Sequence, residues 1–127
     1  MDLIQIMKAL GDETRLRILN LLNTGELCVC EIEYLLDVNQ SNTSRHLNKL
    51  AVINLITYEK RALYVYYSIN NKVLEEYPFL STLFSKEIRK LDKCKTDLDR
   101  LDKYKKSGIT CEELKDDKVC FNNSKEE

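Results

Sequence analysis

The residues best equipped for chemistry are two thiols close together, Cys28 and Cys30, in the stretch Glu26-Leu27-Cys28-Val29-Cys30-Glu31-Ile32. Thiolates are soft ligands, and two in one segment form a chelate for a thiophilic ion such as As(III), Sb(III), Cd(II) or Pb(II). A helix start at this point would favour the thiolate form and so favour capture. Side chains at i and i+2 of a regular helix lie about 200° apart. One ion can therefore take both sulfurs only if the first turn is unwound, which would make ligation a mechanical event. Trivalent arsenic favours a third thiolate. Cys111 and Cys120, in a charged segment near the end of the chain, are the candidate third ligands, whereas Cys94 lies beside an apolar seam and predicts core packing.

A second chemical feature follows shortly afterwards, the polar run Ser41-Asn42-Thr43-Ser44-Arg45-His46-Leu47. A helix from about Ser41 to Val52 would bury Leu47, Leu50 and Ala51. Its expected exposed face carries Gln40, Thr43, Ser44, Arg45, His46 and Lys49, with no acid. Ser41, Thr43, Ser44 and Arg45 are placed to meet base edges in a major groove. His46 has two readings, contact with a phosphate or base edge, or local packing. No cysteine or acid lies near it in sequence to make it a ligand.

These features need elements to hold them. A short helix over residues 2–10, crowded with Leu3, Ile4, Ile6, Met7 and Leu10, predicts burial on two sides, one of them against a partner subunit. Gly11 ends it and Asp12 caps a second helix whose apolar face is Leu16, Ile18, Leu19, Leu21 and Leu22, with Arg15 and Arg17 outside. A third helix over about Cys28 to Leu36, the turn at Asp37-Val38-Asn39-Gln40 and the polar helix make a helix-turn-helix. Asn54 suits a left-handed residue after that helix. Residues 55–59 and 63–69, rich in β-branched and aromatic side chains, predict two strands joined by a basic tip, Lys60-Arg61-Ala62. Such a hairpin is a wing, with Lys60 and Arg61 over the DNA backbone.

Asn71 is expected to cap a turn over Lys72–Tyr77, interrupted by Pro78. A long helix from Phe79 to about Lys106 follows, with Phe84, Ile88, Leu91, Leu98 and Leu101 on a seam spaced for helix-on-helix packing across a dimer. Ser107-Gly108 ends it, Thr110-Cys111-Glu112-Glu113 has the spacing of a capping box, and residues 122–127 predict no packed structure. The fold expected is mainly α with a β-hairpin wing, dimerising through its N- and C-terminal helices. Residues 1–106 form the winged helix-turn-helix domain with its dimerisation helix, and residues 107–127 a cysteine-containing, partly disordered tail.

Composition narrows the classes. A net charge of −1 excludes a globally basic nucleic-acid binder, so a DNA-binding face must be a local patch. Three glycines, one proline and no tryptophan favour helix. No apolar run approaches the roughly 18 residues of a membrane span, and the N-terminus lacks a signal pattern, so a cytoplasmic protein without membrane partners is expected. Five cysteines in that setting argue against a disulfide scaffold and for structural, redox-active or metal-binding thiols.

Taken together, these residues resemble the ArsR/SmtB family of winged-helix metal-sensing repressors. Ala9-Leu10-Gly11-Asp12-Glu13-Thr14-Arg15-Leu16-Arg17-Ile18-Leu19 is similar to the family's lead-in to its second helix. The Cys28-Val29-Cys30 stretch is very similar to the metal-binding box of the arsenic and cadmium/lead branches. Ser41 to Leu50 fits the family's recognition helix, and Tyr64-Val65-Tyr66-Tyr67-Ser68-Ile69 its outer wing strand. The resemblance implies a homodimer that binds double-stranded, palindromic operator DNA and releases it when As(III), Sb(III) or another thiophilic ion binds Cys28 and Cys30. It implies no organic cofactor. Two departures stand out. The arsenic branch often has a third cysteine where this chain has Glu33, and no cysteine precedes Cys28 to match the thiols of the cadmium/lead branch. With His46 the only histidine, the family's histidine-rich zinc and nickel site is excluded in its usual form.

Rival classes fare worse. A thiol enzyme would need a Cys-x-x-Cys at a strand–helix junction, a phosphate-binding glycine loop or a second histidine, none of which is present. The same scaffold sensing thiol oxidation or persulfide, or regulating independently of metal, remains the alternative to an ion sensor.

Overall fold

The computed structural model describes residues 2–109 and Leu114. Helices α1 (Leu3–Leu10) and α2 (Glu13–Leu22) are followed by a two-residue strand β1 (Leu27–Cys28), then α3 (Val29–Leu36) and α4 (Gln40–Val52). Strands β2 (Ile56–Arg61) and β3 (Tyr64–Ile69) form the hairpin, and α5 (Asn71–Glu76), α6 (Phe79–Thr82) and α7 (Asp92–Ser107) complete the chain order. Among the described residues the strands pair antiparallel in the order β1-β3-β2. This is the winged helix-turn-helix architecture expected, with a small sheet in which Cys28 lies opposite Tyr66.

Short polar side chains set the helix starts. Asp12 accepts from the Arg15 amide at 3.0 Å, and Asn39 accepts from the Asn42 amide at 2.9 Å, each satisfying an amide that the helix leaves orphaned. Asp37 closes α3 at φ 55°, Asn54 follows α4 at φ 63°, and Ala62 turns the hairpin at φ 55°. The first two are residue types that tolerate this left-handed geometry. The cap of α5 is Asn70 rather than Asn71, its side chain accepting from the Lys72 amide at 3.2 Å.

The core is built on α2, whose Ile18, Leu19 and Leu21 are wholly buried, together with Ile32 and Leu35 from α3 and Leu47 and Leu50 from α4. Burying each such side chain contributes about 1.5–3 kcal/mol. The long C-terminal helix is broken. A π-helical turn (Leu83–Glu87) and a 3₁₀ turn (Ile88–Lys90) lead to Leu91, whose backbone is extended at φ −71°, ψ 132°. The break lets segments on either side of it pack against α2, which a straight rod could not do. Phe84, Ile88 and Leu101 are buried in the chain's own core, while Leu91 at the break is exposed. The seam read for helix-on-helix packing is thus used within the chain. Residues 110–113 and 115–127, with the expected capping box and unstructured end, lie outside the described residues.

Candidate thiol site and nucleic-acid interface

Cys28 and Cys30 are both buried and form a cluster of their own, packed under Tyr64 and Tyr66 of the wing. Cys28 ends β1 and serves as the N-cap of α3 in an extended conformation, φ −85°, ψ 166°. The two cysteines thus straddle a strand-to-helix junction, which removes the helical constraint on Cys28 that the sequence alone implied. Cys28 is disulfide-bonded, whereas Cys30 and Cys94 are thiols. Ligation of an ion at Cys28 requires the reduced form. Cys111 and Cys120 lie outside the described residues.

Glu31, Tyr104 and Arg61 tie this junction to the rest of the molecule; Arg61 is the wing-tip residue expected over the DNA backbone, and Glu31 and Tyr104 have no role assigned in sequence. The Glu31 carboxylate accepts from the Cys28 amide at 2.9 Å and from the Tyr104 hydroxyl of α7 at 2.6 Å. Tyr104 in turn lies against Tyr34, ring centroids 5.8 Å apart. On the other side Arg61 donates to Glu26 at 2.5 Å, pairs with Glu59 at 3.0 Å and stands 4.0 Å over the Tyr66 ring. The cysteine pair is therefore in contact with the wing and linked through Glu31 to the last helix. The i, i+3 spacing of Glu31 from Cys28 was the available signal; the aromatic contacts, more than thirty residues away in sequence, left none.

Glu33 is the other unforeseen group. It is 3% exposed, and neither carboxylate oxygen has a hydrogen-bond partner. Burial pushes its carboxyl up to about 7. Cys94 is wholly buried on α7, and burial, with Asp97 acting in the same direction, pushes its thiol up to about 11. That fits the core role expected of it.

On α4 the outward face holds Gln40, Ser41, Ser44, Arg45 and Lys49, together with Asn42 and Asn48. Arg45 donates to Asn42 at 3.2 Å. Two of the expected DNA-facing residues turn inward instead. Thr43 is wholly buried and donates to the Val38 carbonyl at 3.3 Å, and His46 is 6% exposed. The reason is geometric: positions 43, 46, 47 and 50 follow steps of three and four and share the stripe docked on the core. The His46 Nδ1 sits 3.2 Å from an Arg15 guanidinium nitrogen and 3.9 Å from Asp12, so its local-packing reading holds. At the wing, Lys60 is exposed, but Arg61 is engaged by Glu26 as described.

A profile described as "Bacterial regulatory protein, arsR family" matches residues 12–58. A cadmium resistance transcriptional regulatory protein CadC homolog of Staphylococcus aureus is 32% identical over 89 residues, 69% of this chain and 74% of that protein. The chain belongs to the arsR family. Other arsR-type relatives include the arsenical resistance operon repressor of Escherichia coli, 44% identical over 68 residues, 53% of this chain and 58% of that one. Among solved structures, HlyU from Vibrio cholerae superposes with a TM-score of 0.56 at 32% identity, covering 65% of this chain and 91% of its own. A homodimeric winged helix-turn-helix domain from Mycobacterium bovis, 24% identical with a TM-score of 0.57, shares the fold. Membership of this family makes the chain a DNA-binding regulator and not an enzyme. Among the described residues no helix is long and apolar enough to cross a membrane.

Proposed function

We propose that the chain is a metal(loid)-responsive transcriptional repressor whose homodimer holds operator DNA until a thiophilic ion binds Cys28 and Cys30. The observation that carries this reading is the buried cysteine pair at the β1–α3 junction, joined through Glu31 to α7 and through Tyr66 to the wing. An ion drawing the two sulfurs together displaces the cap of the first reading-head helix and shifts α4 with it. Relatives named as cadmium and arsenical resistance regulators support an ion as inducer, with As(III), Sb(III), Cd(II) and Pb(II) as the candidates and Cys111 or Cys120 as a third thiolate. Gln40, Ser41, Ser44, Arg45 and Lys49 face the major groove, and Lys60 and Arg61 the backbone. Residues 1–106 carry these activities and residues 107–127 form the appended tail.

The test is a gel shift on operator DNA with reduced protein. Cys28→Ser with Cys30→Ser is expected to bind DNA like the wild type yet stay bound when As(III) or Cd(II) is added; release of the double variant at the wild-type ion concentration would overturn the reading. The disulfide at Cys28 favours one second reading, a sensor of thiol oxidation. In the same assay that sensor would release DNA to a peroxide or disulfide oxidant and ignore ions.

A further inference from the structure

A cavity of about 400 Å³ opens between α1, the first turn of α2 and the last turns of α4. Its apolar wall is Ala9, Val52 and Ile53, its cations are Lys8, Arg15 and Lys49, and no carboxylate is among the described residues that line it. Such a volume, walled by apolar side chains with a few convergent polar groups, suits a small molecule. Val52 stands 70% exposed beside it. Among the described residues, none of the three cations has a carboxylate within ion-pairing distance. Arg15 is nevertheless fixed in place. Its Nε donates to the Ala9 carbonyl at 2.7 Å and its Nη2 to the Lys8 carbonyl at 3.4 Å. Carbonyls position a guanidinium without cancelling its charge. The Asp12 carboxylate, which interacts with Arg15, caps α2 and does not line the cavity. His46 feels the resulting field: burial lowers its pKa most, Asp12 opposes, and Arg45, Arg15 and Lys49 lower it further. At about 100° per residue, Lys8 and Ala9 lie round α1 from the exposed stripe of Leu3, Ile4 and Met7, so a second copy docked on that stripe leaves the cavity open.

We propose that this cavity is an effector site for a small organic monocarboxylate with an apolar body, its charge held by Arg15, Lys8 and Lys49 and its body by Ala9, Val52 and Ile53. The site is separate from the cysteine pair, which lies at the β1–α3 junction under the wing. The two features of the lining select one class together. A bare inorganic anion gains nothing from the apolar wall, and a neutral apolar molecule gains nothing from the cations. An occupant ties the end of α1 to the end of α4 and engages Lys49, on the outward face of the reading helix. Carboxylate binding therefore weakens operator binding, and by linkage the operator weakens carboxylate binding by the same factor.

The probe is octanoate, titrated calorimetrically into reduced full-length protein, with octanamide and inorganic phosphate as controls. Octanoate is expected to bind, and both controls to bind about tenfold more weakly. Lys8→Gln and Val52→Ser, both at exposed positions, are expected to weaken octanoate about tenfold and about threefold, with wild-type circular dichroism. The lone histidine, His46, gives a second readout by NMR. Its imidazole is expected to titrate at higher pH with octanoate bound, since an anion beside Arg15 and Lys49 favours the charged ring. No octanoate binding, phosphate binding as tight as octanoate, wild-type affinity in Lys8→Gln or an unmoved His46 titration each overturns the proposal. The operator arm uses the Cys28→Ser, Cys30→Ser protein. Saturating octanoate is expected to weaken its operator binding about threefold or more, as in the wild type. An effect that vanishes with the cysteines overturns the separate site, and operator affinity indifferent to octanoate in both proteins overturns the effector role. Loss of the ion response with these octanoate results intact would sink only the thiol reading.

Discussion

Asp97 is a charged residue that water barely reaches, 1% exposed, and it is held by both nitrogens of one arginine fork. Arg17 donates to it through Nε at 2.7 Å and Nη2 at 2.9 Å, and Nη2 also reaches the Leu36 carbonyl at 3.1 Å. One guanidinium thus ties α2, α3 and α7 together, and bidentate geometry of this kind is among the stronger side-chain contacts. Removing one partner leaves the other charge buried and unpaired. Asp97→Ala is therefore expected to destabilise the fold by about 3–5 kcal/mol, read as a lowered denaturant midpoint. A loss under about 1 kcal/mol would place the pair with exposed ones. This contact also marks a limit of the sequence. Arg15 and Arg17 fall outside the apolar stripe of α2 and were read as solvent-facing, yet both turn inward, because the partner of Arg17 stands 80 residues away. Spacing tells which face of a helix is apolar; it does not tell which charge returns to it from a distant segment.

At the scale of elements the chain was far more readable, and the reason is that helix ends are local. Asp12, Asn39 and Asn54 each act within a few residues of themselves, so the boundaries of α2 and α4 follow from short-range chemistry. The break at Leu91 does not, since it is set by how the segments before and after it pack on α2. The thiol pair was legible for the same local reason, and its aromatic roof was not. Within α4, the inward turn of His46 carries a pH consequence. Burial holds its imidazole below the ordinary value of 6.5, with Arg45, Arg15 and Lys49 acting in the same direction and Asp12 against them. A histidine whose folded value is depressed takes its proton more readily in the unfolded chain. Its contribution to stability is then complete above the ordinary value and lost as pH falls through the lower, folded one. Acidification from about pH 7.5 to about pH 5 is expected to weaken the docking of α4 more in the wild type than in His46→Gln. Thermal melts of both across that range would check this, and identical pH profiles would show that His46 takes up its proton alike in the folded and unfolded chain.

For the whole molecule, the argument concerns the surface that the fold leaves uncovered. Ile6, Ala9 and Leu10 of α1 are buried, but Leu3, Ile4 and Met7 are 46%, 61% and 52% exposed. A one-turn apolar stripe on an N-terminal helix, with α1 already anchored by Asp2 and Gln5 capping each other, is stable yet unfinished, and contiguous exposed apolar side chains mark interaction surfaces. The proposed homodimer gives it an occupant: the same stripe on a second copy, related by a two-fold axis. Because the C-terminal seam is spent inside the chain on Phe84, Ile88 and Leu101, α1 carries more of that contact than the sequence pattern implied. In the proposed homodimer two docked domains would reach both halves of a palindromic operator at once, so the second half would bind at high effective concentration. Ile4→Glu with Met7→Glu places four like charges at the contact across the pair while leaving the buried side of α1 untouched. The variant is expected to sediment as a folded monomer and to lose about 100-fold or more in operator affinity, with wild-type circular dichroism. A variant that remained dimeric would move the interface off α1.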